Sequence, residues 1–141
     1  MSNFSIMIID DDEVDRYLLK RILNKVGTSH QIFEADNGKT ALDFFSRYEE
    51  NTKKYEGKFP PLLVFLDINM PIMDGWGFLD ELISLDLKEH IIINMITSSI
   101  DPLDHQKWSN FKDRCPYALN FKNKPIFKIE AADLGLMDMA S

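Results

Sequence analysis

At 141 residues, 45% apolar and 28% charged, the chain has the make-up of an ordinary globular protein, enough to bury one core and suited to a single domain over 1–141. That apolar fraction excludes wholesale disorder, and no apolar run approaches the roughly eighteen residues of a membrane-spanning helix. The net charge of −7 comes without a block of clustered lysine and arginine, which argues against non-specific nucleic-acid binding.

The first apolar stretch, Phe4 to Ile9, reads as a strand ending on Asp10-Asp11-Asp12. A helix follows, with Val14, Leu18 and Ile22 in one row and Leu19, Leu23 and Val26 in another, stopping at Gly27. Gln31 to Ala35 is a second strand. Asp36-Asn37-Gly38 turns the chain into a helix whose apolar face is Ala41, Leu42, Phe45 and Tyr48. The polar, lysine-rich stretch from Glu49 to Pro61 ends on two prolines and reads as a surface loop. Leu62 to Leu66 is a third, continuously apolar strand that runs into Asp67. Pro71 then breaks the chain, and Gly75 opens a helix with Leu79, Leu82 and Ile83 inward. Ile91 to Ile96 is the fourth strand, ending on Thr97-Ser98-Ser99. Asp101-Pro102 suits a helix start, an acidic cap followed by proline at the first position, although Leu103, Trp108 and Phe111 make only a weak stripe. Tyr117 to Phe121 is the fifth strand, and Lys124-Pro125 leads into a last helix from Ile126 to Met137.

Five alternations of apolar strand and helix imply a parallel sheet covered on both faces. All strand C-termini then share one edge, which gathers Asp10, Asp11, Asp67, Thr97 and the Lys124 region, where ligands bind in such folds. A carboxylate leaving a buried strand is costly unless something uses it. His30, His90 and His105 share no spacing and are read as neither ligands nor bases. Cys115, the one cysteine, is read as a lone thiol in a polar loop with no disulfide or metal cage to join. Met1 to Ser5 lacks the features of a signal peptide, so the expected location is cytoplasmic.

The decapeptide Leu66 to Gly75, LDINMPIMDG, closely resembles the phosphoacceptor segment of bacterial response-regulator receiver domains, in which a strand-end Asp is followed by Met-Pro and Asp-Gly. The Asp pair, Thr97 and Lys124-Pro125 fall in the order of that CheY-like family. The resemblance implies a flavodoxin-like (βα)5 doubly wound sandwich, strand order 2-1-3-4-5, in a stand-alone regulator with no output domain. With the first and third strands adjacent, Asp10, Asp11 and Asp67 converge. Such repelling carboxylates recruit a cation, and oxygen-only ligands suit Mg²⁺ rather than zinc. By resemblance Asp67 is the phosphoacceptor, and Asp10, Asp11, Asp67 and the backbone carbonyl of Asn69 hold the Mg²⁺. Asp12 is left to cap the first helix. Lys124 would pair with the acceptor and later with a phosphate oxygen, across a cis Lys124–Pro125 bond. Thr97 and Phe121 would be the switch pair, and Asn69 and Ser99 would tune the lifetime of the phosphorylated state.

The implied function is phosphorelay signal transduction in a two-component system. A sensor histidine kinase or histidine phosphotransfer protein gives its phosphoryl group to Asp67. The readout is a downstream protein partner on the face of the fourth helix, fifth strand and fifth helix. The chain would be no enzyme beyond its own phosphorylation and dephosphorylation, and would engage neither nucleic acid nor membrane. Departures from the family are the length of the 49–61 stretch and of the segment before the fifth strand, and the polar Lys122 and Asn123 at that strand's end. Two rivals remain. One is a receiver-shaped binding module that is never phosphorylated. The other is a haloacid-dehalogenase-type phosphatase, which wants an acid where Asn69 stands.

Overall fold

Five apolar stretches pair side by side in a computed structural model, which describes residues 5–25, 31–98 and 101–125. They are β1 (Ile6–Ile9), β2 (Ile32–Ala35), β3 (Leu63–Asp67), β4 (Ile92–Thr97) and β5 (Ala118–Asn123). Every pairing is parallel, in the order β2-β1-β3-β4-β5. This is the flavodoxin-like, doubly wound order that the family resemblance implies.

Alternation along β1 shows why the strands are apolar throughout. Met7 and Ile9 enter one core with Val64, Leu66, Phe45, Phe78, Leu79 and Leu82. Ile6 and Ile8 enter a second core on the other face with Leu63, Phe65, Leu19 and Leu23. Each residue of β1 is therefore buried whichever way it points. Helix α1 (Glu13–Lys25) supplies Leu19 and Leu23 to the second core, while α2 (Gly38–Ser46) and α4 (Gly75–Leu85) cover the first. The helix starts use local caps. Asn37, Asp74 and Asp101 accept hydrogen bonds from the backbone N–H groups of Thr40, Gly77 and Leu103 at 2.8–3.0 Å.

Residues 49–61 are not the open loop expected. Helix α3 (Tyr48–Lys54) occupies their first half, and Tyr48 opens this helix rather than closing α2. Its first turn carries Glu49 and Glu50 and its last Lys53 and Lys54, charges that suit the helix dipole without leaving an apolar stripe. Tertiary contacts hold it: Asn51 is buried and its Nδ2 donates to the carbonyl of Phe44 at 2.7 Å. The Tyr48 hydroxyl bonds to Glu89. The chain leaving α3 adds Tyr55 and the buried Phe59 to an aromatic cluster with Phe33, Phe44 and Phe45.

Other differences are smaller. Val14 and Leu18, in one of the two rows read on α1, are 62% and 47% exposed, whereas Ile22 of that row packs with Leu19 and Leu23 on the second core. β5 keeps its pairing to Asn123, opposite Thr97, despite the polar Lys122 and Asn123. The weak stripe of α5 (Pro102–Arg114) has its counterpart in a helix with no fully buried residue. It is held to α4 by a stack of Phe111 on Trp76 with centroids 5.4 Å apart, and by a bond from Trp76 Nε1 to Asp104 at 3.2 Å. The last helix expected, Ile126 to Met137, lies outside the described residues.

Candidate functional site

The register of β1 against β3 fixes the site. Ile9 lies opposite Leu66, so both chains reach the sheet edge together and leave it on Asp10 and Asp67. Both side chains are buried, at 7% and 6% exposure, whereas Asp11 is exposed. Each of Asp10, Asp11 and Asp67 brings a carboxylate oxygen within 4.8 Å of the others. These are the three acids that the sequence pattern sent to this edge. Asp12 turns away from them: its Oδ1 accepts from the Val14 N–H at 2.9 Å, capping α1.

Lys124 follows β5 directly, with its backbone N–H donating to the Thr97 carbonyl at 2.8 Å and its bond to Pro125 cis. Its ammonium reaches over the acids. It bonds Asp10 Oδ2 at 2.9 Å and Asp15 Oδ2 at 2.8 Å, and lies 3.6 Å from Asp67 Oδ1. Asp15 was not singled out in the sequence. The available signal was its place one helical turn beyond Asp11 and Asp12, which returns it to the side of the acidic pair. Arg16, the next residue, was also passed over; its Nη1 donates to the Asp10 carbonyl at 2.6 Å.

The electrostatics are those of a crowded anionic hollow. Burial pushes the Asp67 carboxyl up from 3.8 to about 7, and the charge of Asp10 adds to the rise. Lys124 and a 3.0 Å hydrogen bond from the Ile68 N–H oppose it. For Lys124 burial works against the charged form, but the bonds to Asp15 and Asp10 outweigh it and raise its pKa above the ordinary value. Asp10 is tied at both oxygens, Oδ1 taking the Asp12 N–H at 2.9 Å and Oδ2 the ammonium. A cluster of oxygen donors with one carboxyl driven toward protonation by burial and by its neighbour's charge fits a hard divalent cation.

The loop from Asp67 to α4 is pinned at several points. The Gly75 N–H donates to the Ile68 carbonyl at 2.8 Å, and the Gly38 N–H to the Met73 carbonyl at 3.0 Å. A Cβ on Gly75 would sit 2.4 Å from the Asp67 carbonyl oxygen, so only glycine lets α4 begin this close to the end of β3. Between Pro71 and Met73 a 2.7 Å backbone hydrogen bond closes a three-residue turn around Ile72, whose φ is 72°.

Of the remaining expected residues, Asn69 is exposed in this loop and Thr97 is fully buried at the end of β4. Phe121, in β5, lies away from the acids against α5, its ring 4.5 Å from His105 and 6.1 Å from Trp108. The structure brings together Asp10, Asp11, Asp67 and Lys124, and leaves Phe121 apart from them. Ser99 lies outside the described residues.

Comparison with known proteins agrees with this arrangement. Residues 6–110 match the response regulator receiver domain family. Sporulation initiation phosphotransferase F of Bacillus subtilis is 33% identical over 107 residues, 76% of either chain. Chemotaxis protein CheY of the same organism is 36% identical over 88 residues, 62% of this chain and 63% of that one. A two-component response regulator from Legionella pneumophila superposes with a TM-score of 0.70 at 28% identity, covering 98% of this chain and 99% of that one. With the fold, the acidic hollow and the matching span in agreement, the chain belongs to the response-regulator receiver-domain family of two-component signalling.

Proposed function

We propose that this receiver domain takes a phosphoryl group on Asp67 from the phosphohistidine of a sensor histidine kinase or histidine phosphotransfer protein. The observation that carries the reading is the convergence of Asp10, Asp11 and Asp67 within 4.8 Å under an ammonium 3.6 Å from Asp67. A carboxylate oxygen of Asp67 attacks phosphorus, the bond from phosphorus to the histidine nitrogen breaks, and an acyl phosphate forms. Phosphoryl transfer of this kind needs in-line placement and charge neutralisation more than covalent help.

Asp10, Asp11, Asp67 and the carbonyl of Asn69 would hold Mg²⁺, which when bound supplies positive charge to the transferring oxygens. Lys124 meets one phosphoryl oxygen, and the Thr97 hydroxyl donates to another. Buried walls around Asp67 restrict water, and Asn69 and Ser99 would tune the lifetime of the anhydride before water hydrolyses it. Movement of Thr97 toward the phosphoryl group opens space for Phe121, whose ring leaves His105 and Trp108. That remakes the surface of α5 and β5, and a downstream protein partner binds one state better. The name of the Bacillus phosphotransferase supports a relay role.

Intact mass after incubation with acetyl phosphate and Mg²⁺ tests the proposal. The expected result is one phosphoryl adduct, absent from Asp67→Asn and absent with a chelator. No adduct on folded protein would instead favour a binding module that works without phosphorylation, and steady phosphate release at enzymatic turnover would favour a phosphatase.

A further inference from the structure

Asp15 has no place in the reading just given, yet it makes the shortest contact of the Lys124 ammonium. Three carboxylates surround that ammonium, at 2.8 Å for Asp15, 2.9 Å for Asp10 and 3.6 Å for Asp67. The acceptor is the farthest of them and lies beyond hydrogen-bond distance. Asp10 closes the acidic hollow with its own oxygen, but Asp15 lies on α1 and is not among the acids that converge there. Its backbone is fixed by the α1 cap, where its N–H points to Asp12 Oδ1 at 3.4 Å. Its carboxylate is carried by α1, outside the group of converging acids, and draws the ammonium toward that helix.

Resting on the proposed phosphorylation of Asp67, we infer that Asp15 is a positioning residue that holds Lys124 against α1 and opposes its delivery to a phosphoryl oxygen. The ammonium must loosen a charge-assisted hydrogen bond to complete the phosphorylated site. Asp15 thus biases the domain toward its unphosphorylated state, through Lys124 and not through the cation or the acceptor directly. The pair is partly exposed, with side chains 19% and 35% accessible, so the bias is small and adjustable.

Four proteins test this: wild type, Asp15→Asn, Lys124→Met and the double variant, with Asp15→Glu as the conservative control. Each is titrated with beryllofluoride in saturating Mg²⁺, and its initial rate of adduct formation with acetyl phosphate is read by mass. Thermal unfolding first confirms that each is folded. Asp15→Asn should bind beryllofluoride about threefold tighter than wild type. Asp15→Glu should stay near wild type. In the Lys124→Met background the same Asp15→Asn change should do nothing, because there is no ammonium left to release. Equal gains in both backgrounds would overturn the inference, since Asp15 would then act through its charge alone, and so would weaker binding by Asp15→Asn. Where Lys124→Met binds too weakly to titrate, the adduct rates decide by the same comparison. Absence of any adduct on wild type would overturn the phosphorylation reading itself and this inference with it, a result distinct from the other two.

Discussion

Asp67 shows how one side chain can carry the electrostatic cost of a site. Its carboxyl is buried beside Asp10, and its pKa rises from 3.8 to about 7. Between those values the folded protein holds a proton that the unfolded chain has released, so the contribution of Asp67 to stability is complete below pH 4 and is lost as pH rises toward 7. In metal-free buffer, urea unfolding should therefore show wild type losing stability relative to Asp67→Asn across that window, by up to about 1.4 kcal/mol per pH unit. A parallel pH dependence of the two proteins would show that Asp67 ionises freely. Asp10 is similarly buried, but a backbone N–H and an ammonium already satisfy both of its oxygens. Two neighbouring acids thus differ in what they lack, and the one short of partners is the one proposed as nucleophile.

Helices carry that local arrangement outward. α4 starts at Gly75, whose missing side chain lets its backbone lie against the Asp67 carbonyl, and Trp76 immediately locks onto Phe111 and Asp104 of α5. Arg114 extends the contact, with its guanidinium 4.3 Å from the Phe111 ring centroid and bonded to Asp80 at 3.2 Å. A displacement in the loop after Asp67 can therefore reach α5 through one residue's neighbours. Gly75→Ala places a methyl carbon 2.4 Å from a backbone oxygen that has no rotamer with which to yield. It should destabilise the fold by about 2 kcal/mol or more, read as a lowered denaturation midpoint with an unchanged slope. An unchanged midpoint would mean that α4 can start farther from β3 at no cost.

Over the whole molecule, the legible parts were those set by neighbours in sequence. The sheet followed from strands apolar on both faces, and α5 from Asp101-Pro102, a cap that works through the next two residues. The acids were legible because each follows a strand directly, and parallel pairing brings strand ends together. Helix α3 was not legible: without an apolar stripe, its stability comes from Asn51 reaching Phe44 and Tyr48 reaching Glu89, contacts no local pattern announces. Val14 and Leu18 had helical spacing, but spacing does not say which members of a row reach the sheet, as Ile22 does and these two do not. Asp15 was missed for a related reason, since its partner is 109 residues away and only the folded chain presents it.

The turn around Ile72 has a consequence for how this domain could be improved. A β-branched residue at φ 72°, with 81% of its surface in water, gains little from packing and pays conformational strain of about 1–2 kcal/mol. Glycine there would relieve the strain and give back part of the gain as unfolded-chain entropy. Ile72→Gly should raise the melting temperature by about 2 °C while leaving acetyl phosphate labelling within twofold of wild type. If labelling falls as stability rises, the strain is functional, and thermal robustness and signalling trade against each other at one surface position. If it does not, Ile72 is a free site for engineering a hardier domain, a few residues from Asp67 and without a role in its chemistry.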